Sequence, residues 1–391
     1  MNWNDKTAAN VKAIKPSGIR KFFDIAAQVK GVLSLSIGEP DFAAPDKVLA
    51  AMKASLDAKE TSYTGNSGMM ELREAISHHF EQRYGVHYDP KDEILVTVGV
   101  SEGLAMALLA ITEPGDEVII PDPAYVAYPA SVELAGGTPV FVPTYPEHDF
   151  KLTVEALEKV ITPKTKAIVI GYPNNPTGTV MSAEELMPIA KFAEEHDLIV
   201  LSDEIYCELM YGDAKFTSFA KLPGMRERTV IFNGFSKAYA MTGMRLGYVC
   251  APREGLAPIL KLHQYAIMCA NTTAQVGGIT ALKECDDDVE AMRQEYDRRR
   301  KVIYKGLCDM GLPVFEPKGA FYIFPDIRYT GMTSAEFCEK LVQEEKVAVV
   351  PGTAFGDQGE GFVRISYAAS MDTIQEALKR MARFVAKYRK D

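Results

Sequence analysis

From about Lys91 to Ala251 the chain repeats one pattern, a short unbroken apolar run followed by a longer amphipathic stretch. No other feature limits the fold as much. A strand with one wet face alternates apolar and polar residues, whereas a strand covered on both faces is apolar throughout. Seven runs are of the second kind: Ile94–Val98, Val118–Ile120, Val140–Val142, Ala167–Ile170, Leu198–Leu201, Val230–Phe232 and Gly247–Cys250. They predict an α/β fold with a mostly parallel seven-stranded sheet and helices on both faces. Ser182–His196 reads as one of those helices, with Ser182 as N-cap, Glu184 and Glu185 in its first turn and apolar residues three and four apart.

Beyond Ala251 the pattern changes to long helices, the clearest from about Asp288 to Met310, and then to short strand signals at Ala320–Phe324, Ala348–Val350 and Val363–Ser366 among turns and two helices. This predicts a smaller α+β domain. The segment before about Asp46 has no strand–helix repeat of its own and is expected to pack on that domain. The expected division is therefore 47–290 for the large domain, with 1–46 and 291–391 forming the small one. A length of 391 residues suits such a division.

A net charge of −10 disfavours nucleic acid and anionic membranes as partners, because both need a basic face. Any bound phosphate must then be held by local groups. The apolar runs fall far short of the roughly 20 residues that span a bilayer. Met1 to Lys15 lacks the apolar core of a secretory signal, so a soluble, cytoplasmic protein is expected. The six cysteines form no Cys-x-x-Cys pair and have no histidine at ligand spacing, which predicts reduced core thiols and no metal site.

Several strings carry chemistry. In Phe235–Arg245, Lys237 follows an apolar strand and Arg245 stands eight residues later. A lysine taken out of water loses ammonium character, which suits it to form a Schiff base with an aldehyde, and the arginine offers a planar fork for a phosphate dianion. A surface ion-paired lysine and arginine is the plain alternative. Asp203, with Glu204 and Tyr206 after it, ends the strand Leu198–Leu201 at the place where open α/β sheets bind ligands. An ionised aspartate there needs a cation such as a protonated pyridine nitrogen, although a helix cap or turn explains a lone one as well. Glu204 reads as a supporting or solvated residue.

Tyr172–Gly178 ends another strand and places Asn175 in the same crevice, or is merely a turn. Gly99-Val100-Ser101-Glu102-Gly103 opens a helix, Leu104–Ile111, apolar all round and expected to be buried, with Ser101 as N-cap or first-turn residue. Free amides at such a start suit an anion, or belong to an ordinary capped helix. Tyr125 follows a strand and offers a ring to a flat cofactor, unless it is a core tyrosine. Arg364 lies in an apolar strand without an obvious acidic partner, which points to a carboxylate supplied by substrate.

Together these strings, over nearly the whole chain, resemble the class I/II pyridoxal 5′-phosphate (PLP)-dependent aminotransferases of fold type I. The resemblance implies that Lys237 binds the cofactor covalently, that Asp203 pairs with the pyridine nitrogen, that Tyr206 and Asn175 contact its phenolic oxygen and that Tyr125 stacks on the ring. It assigns the phosphate to Arg245, Ser236, the amides of Ser101 and Glu102, and the hydroxyl of Tyr63 from a second subunit, hence a homodimer with shared active sites. Gly38, Asn175 and Arg364 match the positions that receive the substrate α-carboxylate. The activity implied is ping-pong transfer of an amino group from an L-amino acid to a 2-oxo acid.

One departure concerns substrate choice. Some aspartate-preferring relatives have a lysine where Ser101 stands, which weakens a dicarboxylate reading here. Arg20 and Lys21 are candidate substitutes or solvated charges. Met244 stands where many relatives have tryptophan. Two rivals are a carbon–sulfur lyase of the same fold, since the cofactor site alone does not decide which bond breaks, and a PLP-binding regulator, for which the N-terminus leaves no room. A nicotinamide dehydrogenase lacks its Gly-x-Gly-x-x-Gly.

Overall fold

The computed structural model describes residues 1–14, 18, 22 and 29–389. In chain order the strands are β1 (Leu33–Ser34), β2 (Ile94–Thr97), β3 (Glu117–Asp122), β4 (Thr138–Pro143), β5 (Thr165–Ile170), β6 (Ile199–Asp203), β7 (Thr229–Gly234), β8 (Gly247–Cys250), β9 (Tyr322–Ile323), β10 (Val347–Ala348), β11 (Val350–Pro351) and β12 (Val363–Ser366). All seven long apolar runs are strands of one sheet, ordered β2-β8-β7-β6-β5-β3-β4. Only β8 runs against its neighbours, pairing antiparallel with both β2 and β7. The other four pairings in that sheet, β7 with β6, β6 with β5, β5 with β3 and β3 with β4, are parallel.

Successive residues of a strand point to opposite faces, so two separate cores form. Val118 and Ile120 join Leu104, Ala107 and Leu108 of the helix Gly99–Ile111 on one side. Ile119, Ile168 and Ile170 join Leu186, Ile189 and Phe192 of the helix Ala183–Glu195 on the other. Each such aliphatic side chain removed from water contributes about 1.5–3 kcal/mol. The second helix starts where expected: Ser182 accepts from the Glu185 amide and the Glu185 side chain accepts from the Ser182 amide. That reciprocal cap stabilises it by about 1 kcal/mol.

The C-terminal part forms a three-stranded antiparallel sheet, β11-β12-β9, covered by the helices Asp286–Asp309, Ser334–Glu345 and Met371–Tyr388. β1 pairs in parallel with β10, and Phe22 and Leu35 share the apolar cluster of Ile303, Phe337 and Phe384. No helix among the described residues is long and apolar enough to cross a membrane.

Four details differ from expectation. The stretch Ala348–Val350 is two strands, because Ala348 pairs with β1 while Val350 pairs with Arg364. The long helix begins at Asp286, with three aspartates in a first turn whose exposed amides favour negative charge. The helix Gly99–Ile111 is not covered all round: one face lies on the sheet, with Gly103 so close that a Cβ there would stand 2.7 Å from Val249 Cγ2, and Leu109 on the far face is 44% exposed. Cys308 is exposed rather than in a core, being near the end of a helix whose outer face meets water.

Candidate active site

Because β2, β3, β5, β6 and β7 run the same way, their carboxyl ends share one edge of the sheet, and the backward β8 begins at that edge. The residues just beyond those ends line a cavity of about 460 Å³: Ser101 after β2, Tyr125 after β3, Asn175 after β5, Asp203 and Tyr206 at the end of β6, Ser236 and Lys237 after β7, and Arg245 just before β8. Gly38 from the N-terminal segment and Tyr322 and Arg364 from the small sheet close its other side. Such a volume suits a small-molecule ligand.

The chain leaves the sheet after Gly234 and re-enters at its pairing partner Gly247, so Lys237 and Arg245 lie in one connection. Lys237 Nζ donates to the Gly38 carbonyl at 2.7 Å. Burial pulls its ammonium down to about 8; Glu39 opposes the drop, while the Arg364 and Arg245 cations add to it. Arg245 adopts a left-handed backbone (φ 53°) and donates to the Thr242 carbonyl. Its guanidinium reaches back to the start of the helix Gly99–Ile111, where Gly99 has φ +75° and a Cβ would stand 2.7 Å from Nη2. Only glycine takes up that turn without strain. Ser101 lies in the first turn rather than at the N-cap, which is Val98. Ser101, Ser236 and Arg245 all line the cavity, and the Arg245 fork lies against the start of the helix whose first amides are free, a setting for an anion.

Asp203 also lines the cavity, is buried, and accepts from the Tyr128 hydroxyl at 2.8 Å and the Ile205 amide at 3.2 Å. Burial raises its pKa; those two donors and the Lys237 charge act the other way. A cation brought beside it favours the carboxylate form further. Glu204, expected to be supporting or solvated, points away from the cavity and is buried. One oxygen accepts from Ser202, Ser218 and the Phe219 amide, and burial raises it to about 7.

Arg364 is 2% exposed and has no carboxylate partner among the described residues. It donates to Asn175 Oδ1 at 3.1 Å and to the Ser36 carbonyl at 2.6 Å, lies between the Tyr322 and Phe355 rings, and leaves Nε without a partner. Neutral acceptors leave its charge uncompensated, ready for an anionic ligand.

The predicted residues Gly38, Ser101, Tyr125, Asn175, Asp203, Tyr206, Ser236, Lys237, Arg245 and Arg364 thus meet in one cavity. Glu102 lies behind it, its side chain turned from the lining. Tyr63 is 82% exposed and lines a separate surface groove, away from this chain's own cavity. Arg20 and Lys21 lie outside the described residues. Two tyrosines went unrecognised in the sequence. Tyr128 fixes Asp203, and its spacing of three from Tyr125 was the available signal. Tyr322 bonds the Tyr206 hydroxyl at 2.8 Å, and only its place in a short apolar strand hinted at it.

The family model described as aminotransferase class I and II matches residues 30–381. A putative aminotransferase of Bacillus subtilis, YugH, is 53% identical, the match spanning 96% of this chain and 97% of that protein. An aspartate aminotransferase of Pyrococcus abyssi is 51% identical over 94% of this chain and 95% of its own length. The crystal structure of an aromatic aminotransferase from Pyrococcus horikoshii superposes with a TM-score of 0.90 at 49% identity, covering 94% of this chain and 99% of that one. These matches favour amino transfer over carbon–sulfur cleavage.

Proposed function

The chain belongs to the class I and II aminotransferases, which depend on PLP, and from that premise we propose that this cavity moves an amino group from an L-amino acid to a 2-oxo acid with Lys237 at its centre. The observation that carries the assignment is the joint placement of a desolvated lysine, a buried aspartate and an arginine fork around one cavity. Those residues fit the cofactor: a Cβ at Gly99 would fill the anion cradle, and buried Asp203 lacks a cationic partner within hydrogen-bond distance among the described residues.

In this reading Arg245, Ser236, Ser101 and the amides of Ser101 and Glu102 would hold the phosphate, with Tyr63 completing the cradle from a second subunit. Asp203 would face the pyridine nitrogen, Tyr206 and Asn175 the phenolic oxygen, and Tyr125 the ring. When bound, PLP supplies an electron sink that acidifies the substrate's α-carbon. Arg364, Asn175 and Gly38 fix the α-carboxylate and so present that carbon to Lys237. Lys237 Nζ, partly unprotonated near neutrality, takes the α-proton. Residues 47–290 would form the cofactor-holding domain, and 1–46 with 291–391 the domain that carries the carboxylate fork, although at the start of the chain Asn10 Nδ2 donates to the Leu134 carbonyl of the large domain at 3.2 Å. Replacing Lys237 by alanine should abolish the visible absorbance of the bound cofactor and all turnover; a variant keeping both contradicts the assignment.

The donor is aspartate, an aromatic amino acid or a related one, with 2-oxoglutarate as acceptor, and the site works in the cytoplasm. Relatives named for aspartate and for aromatic substrates support this range, and Ser101 in place of lysine argues against strict dicarboxylate use. A donor screen with 2-oxoglutarate fixed, read as glutamate formed, tests it. Activity confined to one acidic donor overturns the broad range. Pyruvate released from cystathionine without any oxo acid would instead mark the lyase.

A further inference from the structure

A carboxylate next to an anion cradle is a liability, because like charges oppose one another. Glu102 is such a group: it stands in the first turn of the helix whose amides face the cavity, and its side chain is 8% exposed. It is turned backwards. Oε2 accepts the Val98 amide at 2.9 Å, and Oε1 lies 3.0 Å from Nδ1 of His263. His263 comes from the helix Arg253–Ala266 and is fully buried. Its other ring nitrogen, Nε2, has no partner among the described residues. Nδ1 is therefore the ring's one engaged atom, and since a carboxylate only accepts, Nδ1 carries the hydrogen.

The Val98 amide leads directly into Gly99, the residue whose left-handed turn admits the Arg245 guanidinium. A carboxylate locked on that amide holds the turn and keeps its charge on the side of the helix away from the cavity. Without the histidine donor Oε1 is left buried with no partner while only Oε2 keeps the Val98 amide, a costly state that the side chain leaves by swinging out.

We propose that His263, though it does not line the active-site cavity, is a positioning residue for the phosphate cradle: its Nδ1–H fixes Glu102 on the Val98 amide and thereby sets the turn that Arg245 and the helix amides share. This rests on the reading of the cavity as a PLP site.

The test compares His263→Asn, whose amide nitrogen can take the place of Nδ1, with His263→Gln, whose amide reaches toward Nε2 instead, and with His263→Leu. Equilibrium dialysis of each apo protein against PLP and against pyridoxal, which lacks the phosphate, gives the dissociation constants; thermal melting of the apo forms checks the fold. Glutamine and leucine should weaken PLP binding about tenfold or more, the scale of one lost charge-assisted hydrogen bond, while asparagine stays within about threefold of wild type. Pyridoxal binding should change little in any of them. The inference is overturned if asparagine and glutamine bind PLP equally, if pyridoxal is weakened as much as PLP, or if glutamine leaves PLP affinity unchanged; leucine failing to fold leaves the asparagine–glutamine contrast to decide. A wild-type protein that binds no PLP would sink the functional reading itself, a different result from any of these.

Discussion

Lys237 meets two demands that conflict in water: its amine must be uncharged to attack an aldehyde, yet a free lysine is an ammonium ion at neutral pH. Burial lowers its pKa from 10.5 to about 8. The neutral fraction of the amine therefore grows as pH rises through about 8 rather than 10.5, and capture of PLP by the apo protein should accelerate over that window. Stopped-flow absorbance against pH checks this, and a rise delayed until near pH 10 contradicts a desolvated lysine. At this scale the sequence showed residue types but not all of their partners. Asp203 and Arg364 were legible because a charge in an apolar strand demands an explanation. Tyr322 was not: its value comes from the Tyr206 hydroxyl 116 positions away, and no local pattern records such a meeting.

At the level of elements, the turn from β2 into the helix Gly99–Ile111 is the most exacting piece. Gly99→Ala places a Cβ in a left-handed residue and against Arg245 Nη2, so we expect a stability loss of about 1–2 kcal/mol from backbone strain. PLP affinity should fall as well, because the guanidinium must give way. Melting temperature and a PLP titration measure the two effects, and an unchanged affinity would remove this turn from the cradle. The strands themselves were legible, since cover on both faces leaves an unbroken apolar run. The division of Ala348–Val350 was not, because it depends on two different partner strands. Leu109 shows another limit: composition marks a helix as apolar without saying whether its outer face is covered.

For the whole molecule, the exposed Tyr63, which lines a groove other than its own chain's cavity, is consistent with the proposed dimer. If sites are shared, Lys237→Ala and Tyr63→Ala chains are complementary: a mixed dimer carries one site with both residues intact. Unfolding and refolding an equal mixture should restore about a quarter of wild-type activity, since half the dimers are mixed and each has one sound site of two. A mixture no more active than the Tyr63→Ala protein alone contradicts the exchange.

The backward course of β8 has a consequence in time as well as in space. Lys237 and Arg245 belong to the single connection between Gly234 and Gly247, so one pairing event delivers both, and a slip of one residue would turn alternate side chains to the wrong face. In a refolding chain supplied with PLP, the change in cofactor absorbance on joining Lys237 should therefore come no earlier than the correct joining of β7 to β8.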